Sequence, residues 1–82
     1  MNSIKVKVSK GISGRNVYTF LSILSNIKSK VLVKKNELDR CANGKSVLGI
    51  LSLCVLAGDE IEIMSDSKDE LEYVKQLVEK EW

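Results

Sequence analysis

Ile4, Val6 and Val8 alternate with Lys5, Lys7 and Ser9. A period of two gives one buried and one wet face, and predicts a β-strand. Gly11-Ile12-Ser13-Gly14 interrupts the pattern. Val17, Phe20, Leu21, Leu24 and Ile27 then recur at three- and four-residue spacing, which places them on one side of a helix. A second strand is predicted from Lys30 to Lys35, with Val31 and Val33 facing in. A short third strand, at an edge, is predicted from Glu37 to Cys41, and Asn43-Gly44 is a turn signal. Val47 to Val55 is apolar nearly throughout, so it reads as a mostly buried short helix or a helix plus loop. Glu60-Ile61-Glu62-Ile63 alternates again and gives a fourth strand. Ser67-Lys68-Asp69-Glu70 has the form of a capping box, with the Ser67 hydroxyl on a first-turn amide and Glu70 reaching back. Leu71, Val74, Leu77 and Val78 share one face of the last helix.

The resulting order is β-α-β-β-α-β-α. Strands with one wet face need cover on the other side only, and three amphipathic helices supply it. A two-layer sandwich of one sheet and one helix layer is the economical solution. With 82 residues the expectation is a single domain, residues 1–82, around one core.

Charge narrows the partners. Thirteen basic and eleven acidic residues leave a net +2, and only four residues are aromatic: Tyr18, Phe20, Tyr73 and Trp82. That is neither the one-sided charge nor the stacking platform of a nucleic-acid binder. The apolar run from Val47 is too short for the roughly 20 residues of a membrane span. No long apolar segment follows Met1, and the expected location is the cytoplasm. In that reducing compartment Cys41 and Cys54 are expected as free thiols packed as small hydrophobes.

The chain contains no histidine, no clustered metal ligands and no phosphate-binding loop of the nucleotide-binding type. Its carboxylates fall mostly in the last third, on solvated faces, so no acid–base pair, metal or cofactor is expected and the chain reads as a non-enzyme. Two loops carry the interest. In Gly11-Ile12-Ser13-Gly14-Arg15-Asn16 a strand meets a helix start, where free amides, the helix dipole and Arg15 favour an anion. The plainer reading makes Ser13 a helix N-cap and Arg15 a solvated side chain. In Asn43-Gly44-Lys45-Ser46-Val47-Leu48-Gly49, Ser46 stands where an N-cap belongs, worth about 1 kcal/mol. A phosphate on Ser46 would add negative charge beside first-turn amides. Val47 and Leu48 then either pack in the core or form an exposed docking patch.

Length, element order and both loops together resemble the HPr family, the histidine phosphocarriers of the bacterial sugar phosphotransferase system. The family's active loop reads Gly-Ile-His-Ala-Arg-Pro, against Gly11-Ile12-Ser13-Gly14-Arg15-Asn16 here. Its regulatory segment reads Lys-Ser-Ile-Met-Gly-Val-Met-Ser-Leu, against Lys45-Ser46-Val47-Leu48-Gly49-Ile50-Leu51-Ser52-Leu53. Gly58-Asp59-Glu60-Ile61 is similar to the family's Gly-x-x-Ile before its last strand. The resemblance implies an α+β open-faced β-sandwich, with a four-stranded antiparallel sheet covered by three helices. It also implies that Ser13 stands at the position of the phosphorylated histidine, Gly14 at the alanine and Asn16 at the proline. A phosphoserine is a stable ester, whereas phosphohistidine is a phosphoramidate that passes its phosphoryl group onward.

What the resemblance leaves in place is regulation. In many Gram-positive members the serine matching Ser46 is phosphorylated by an ATP-dependent HPr kinase/phosphorylase. The product is a corepressor of a LacI-type regulator in carbon catabolite repression, and homologues without the histidine keep only that role. The resulting expectation is a monomeric regulatory protein with protein partners, among them phosphotransferase-system enzymes, and with no direct contact to nucleic acid or membrane. Ser46 is its phosphosite. Ser13, Gly14, Arg15 and Asn16 are the anion-binding residues, and Arg15, Tyr18, Val47, Leu48 and Leu51 form the partner surface. The alternatives are a residual phosphocarrier using Ser13 and an unphosphorylated decoy that occupies HPr partners.

Overall fold

The computed structural model describes residues 1–35 and 40–82. Its elements are β1 (Asn2–Lys7), α1 (Val17–Leu24), β2 (Val31–Lys35), β3 (Cys41–Asn43), α2 (Val47–Leu51), β4 (Glu60–Ser65) and α3 (Lys68–Glu81). The strands form one sheet in the order β1-β4-β2-β3, with every neighbouring pair antiparallel. Ile4 pairs with Ile63, which pairs with Val33, which pairs with Ala42. That row is buried from one edge of the sheet to the other. The next row, Lys5, Glu62, Lys34 and Cys41, lies on the opposite face. Helix residues Phe20, Leu24, Ile50, Leu71, Val74 and Val78 join the buried rows in one apolar cluster, so the helices cover a single face.

Four details differ from the sequence expectations. The third strand is Cys41–Asn43 and ends two residues beyond the expected Cys41; the Glu37–Asp39 part of the expected strand lies outside the described residues. Its inward residue is Ala42, which is too small to give a period-two signal. It is an edge strand, as expected. Helix α1 ends at Leu24, so Ile27 is buried from the turn beyond it rather than from the helix. Ser25 Oγ donates to the Ser22 carbonyl at 2.6 Å and Asn26 Nδ2 to the Ile23 carbonyl at 2.9 Å, side-chain bonds that compete with continued helix. Both cysteines are exposed free thiols and do not pack in the core. Cys41 projects onto the uncovered sheet face, and Cys54 sits in the turn after α2.

The capping box is half formed. Ser67 Oγ accepts the Glu70 amide at 3.3 Å, as expected. The Glu70 carboxylate does not reach back to Ser67. It crosses to the Lys28 amide, at 3.1 and 3.2 Å from its two oxygens, and so ties the start of α3 to the turn before β2. The Ser67 amide turns instead to Ser65 Oγ at 3.3 Å. Ser65 is fully buried, and its hydroxyl also meets Ser29 Oγ at 2.9 Å. Truncating Ser65 strands both partners beside the core, a cost of roughly 1–3 kcal/mol. Ser65→Ala is therefore expected to lower the unfolding free energy by that amount, read as a lower urea midpoint at an unchanged m-value, whereas a surface control such as Ser22→Ala should not.

Candidate functional site

Gly11 to Asn16 forms a closed loop whose bonds are mostly internal. Asn16 is the N-cap of α1, in place of Ser13, and its side chain makes no cap bond to the helix. It turns back into the loop: Oδ1 accepts the Ser13 amide at 2.8 Å, and Nδ2 donates to the Gly11 carbonyl at 3.0 Å. The Ser13 carbonyl accepts both the Asn16 and Val17 amides, and Ser13 Oγ accepts the Arg15 amide at 3.3 Å. The amides expected to face an anion are thus largely engaged by the loop's own oxygens. Helix α1 begins three residues later than a Ser13 cap would require, because the Asn16 carboxamide reaches back to close the loop, its oxygen on the Ser13 amide and its nitrogen on the Gly11 carbonyl. Ser13, Gly14 and the Arg15 side chain lie exposed on its outer rim.

At its other end the loop is pinned to the segment that follows α2. The Ile12 amide donates to the Val55 carbonyl at 2.9 Å. A Cβ on Gly11 would lie 2.8 Å from that oxygen and 3.2 Å from Leu56 Cα, both backbone atoms with no freedom to swing away. Glycine at this position is a condition of the approach.

Ser46 is where the sequence places it. It is the extended N-cap of α2, and its Oγ accepts the Gly49 amide at 3.1 Å. The residue is half-buried. Its neighbour Lys45 is anchored through its own amide to Asn43 Oδ1 at 2.9 Å and through Nζ to the Lys28 carbonyl at 3.3 Å. Cations also close the far end of this segment. Arg40 Nη2 donates to the Ser52 carbonyl at 2.7 Å, and Lys35 Nζ to the Cys54 carbonyl at 2.8 Å. Lys35 also pairs with Asp59 at 3.4 Å. Positive groups at these carbonyls match the negative end of the helix dipole.

The helix between these anchors is less buried than its composition suggested. Ile50 is fully buried, while Val47 and Leu51 are partly buried against the core. Leu48 is 79% exposed, and Tyr18 on α1 is 70% exposed. Helices α1 and α2 pack against each other, and neither contains a charged residue. The structure therefore brings Tyr18 and Leu48 onto adjoining uncharged helices, with Arg15 and Lys45 at their N-terminal ends. Leu56, 65% exposed, lies in the segment pinned to the loop, its Cα 3.2 Å from where a Gly11 Cβ would stand. Sequence reasoning missed it because it treated the apolar run as ending in the core at Val55.

Residues 1–80 match the family model described as the PTS HPr component phosphorylation site. The phosphocarrier protein HPr of Neisseria meningitidis serogroup A is 35% identical over 77 residues, covering 94% of this chain and 84% of that protein. The HPr-like protein Crh of Halalkalibacterium halodurans is 27% identical over 75 residues, covering 92% and 87%. Among solved structures, HPr-C-His from Thermoanaerobacter tengcongensis superposes with a TM-score of 0.77 at 25% identity, over 98% of this chain and 93% of that one. An open-faced sandwich with this strand order and these two loops defines a small phosphocarrier-type fold. The chain belongs to the HPr family.

One residue of the site sits in an unfavourable backbone conformation. Cys54 has φ +53°, in the left-handed region that costs a residue with a Cβ on the order of 1–2 kcal/mol. Its side chain is exposed, so nothing in the core is lost with it. Cys54→Gly is expected to raise stability by about 0.5–1 kcal/mol after glycine's own entropic cost, and Gly11→Ala to lower it by about 1–3 kcal/mol. Paired denaturant titrations check both signs.

Proposed function

We propose that this HPr-family protein acts by recognition, as a regulatory protein controlled through phosphorylation of Ser46, and does not carry phosphate on histidine. The chain contains no histidine, so the phosphoramidate chemistry of the carrier role has no residue to form on. Ser13, at the matching position, lacks an adjacent base, and its ester would hold the phosphoryl group.

The observation that carries the reading is the pairing of Ser46 with Leu48. A half-buried hydroxyl caps α2, and two residues on an apolar side chain stands 79% exposed. A phosphate on Ser46 would face the first-turn amides of α2 beside Lys45, a charge-assisted arrangement. A partner could then read charge and apolar anchor together, with Val47, Leu51, Tyr18 and Arg15 completing the contact. The relatives named Crh, a second group of HPr-like proteins, support a role other than carrier. Under this reading the partners are an HPr kinase/phosphorylase and a LacI-type regulator of carbon catabolite control, in the cytoplasm. Among the described residues no helix is long and apolar enough to cross a membrane.

The test is direct. The protein is incubated with ATP and the HPr kinase of its own organism, and its intact mass is measured. The expected result is a gain of one phosphate that disappears in Ser46→Ala. Loss of the cap costs that variant only about 1 kcal/mol, so it remains folded for the comparison. No gain, or a gain that survives the substitution, overturns the proposal; partners that bind the unmodified protein would then favour the decoy reading.

A further inference from the structure

We infer that Trp82 is a positioning residue for the Gly11–Asn16 loop, through contacts that clamp the chain just before the loop begins. Trp82 is the chain's single tryptophan and is 5% exposed. Its indole Nε1–H donates to the Lys10 carbonyl at 3.0 Å. Its own carbonyl accepts the Ser9 hydroxyl. Its ring meets Phe20 of α1 edge-on, with centroids 5.3 Å apart, and the Lys10 ammonium lies over the same ring at 4.6 Å. One residue thus touches, by its main chain and its side chain, the residues that lead into the loop and the helix that leaves it.

The neighbouring bonds show why these contacts matter to the loop in particular. Val8 is held on one side: its amide donates to the Asp59 carbonyl, and its carbonyl accepts the Gly58 amide. Gly11 and Ile12 are held on the other, by Asn16 Nδ2 and the Val55 carbonyl. Between them stand Ser9 and Lys10, both exposed. Among the described residues, the hydrogen bonds found for these two residues all run to Trp82. The indole N–H fixes the direction of the Lys10 carbonyl, and with it the peptide plane that enters Gly11. The ring packing on Phe20 is a different contribution, to the core as a whole.

The two contributions separate by substitution. Trp82→Phe keeps an aromatic ring against Phe20 and removes the N–H donor. Phe20→Leu keeps the donor and removes the ring contact. Backbone amide hydrogen exchange reads each site by itself. Expected for Trp82→Phe is a rise of roughly fivefold or more in exchange at Ile12 and Ser13, the scale of one net hydrogen bond, with the β1–β4 ladder amides unchanged. Expected for Phe20→Leu is faster exchange spread across ladder and loop alike. If Trp82→Phe leaves Ile12 and Ser13 unchanged, or speeds loop and ladder equally, the inference is overturned.

The inference rests on reading this loop as part of a docking face, but its test does not. Exchange reports loop geometry in the unmodified protein, whereas the kinase assay reports chemistry at Ser46. Either can fail while the other holds.

Discussion

The hydrogen bond from the Ile12 amide to the Val55 carbonyl ties the Gly11–Asn16 loop to the segment after α2. It joins a loop near the start of the chain to the turn after α2, and it forms only because residue 11 has no side chain. Around it the other anchors fall into place. Asn16 closes the loop from within, Trp82 holds its approach, and Lys35 and Arg40 hold the turn after α2 by its carbonyls. The exposed side chains of both segments are thereby set on one frame, although more than thirty positions separate Tyr18 from Leu56 in sequence.

The chemistry of that frame suits contact more than conversion. Its helices carry no charge, its rim carries cations, and its apolar side chains point outward from short, well-anchored elements. Exposed leucines on a rigid support lose little freedom on docking, which is the economy that preorganised interfaces exploit. A serine that already accepts a backbone amide lies at the same helix end. Added phosphate there changes the charge of the surface without requiring a new fold.

Much of this was legible in the sequence, for identifiable reasons. Ile4-Val6-Val8 and Ile61-Ile63 announce strands because their neighbours are charged, and Ser46 and Ser67 announce helix starts because each precedes an apolar period. The misreadings share a different cause. Ala42 is too small to mark an inward position, so the edge strand is expected to end short of it. Asn16 and Glu70 each spend their side chains on backbone amides: Asn16 on Ser13 within its own loop, Glu70 on Lys28, forty-two positions away. The second of these choices depends on which turn lies alongside, and local pattern contains no such information. The two cysteines are expected in the core because a free thiol packs as a small hydrophobe, whereas one occupies the uncovered sheet face and the other a left-handed turn.

The strand order has a consequence for how the molecule comes into being. The two central strands are β4 and β2, and among the described residues β1 has no strand neighbour other than β4. The sheet therefore cannot close around its first strand until residues 60–65 are available. During synthesis β1 must wait, with its apolar face open, while some fifty further residues are made. Pairings between distant segments are the slow, entropically costly ones. Lys5 and Lys7, which look out from the uncovered face in the finished protein, also guard the waiting strand, because lysines along a lone strand discourage its pairing with another chain.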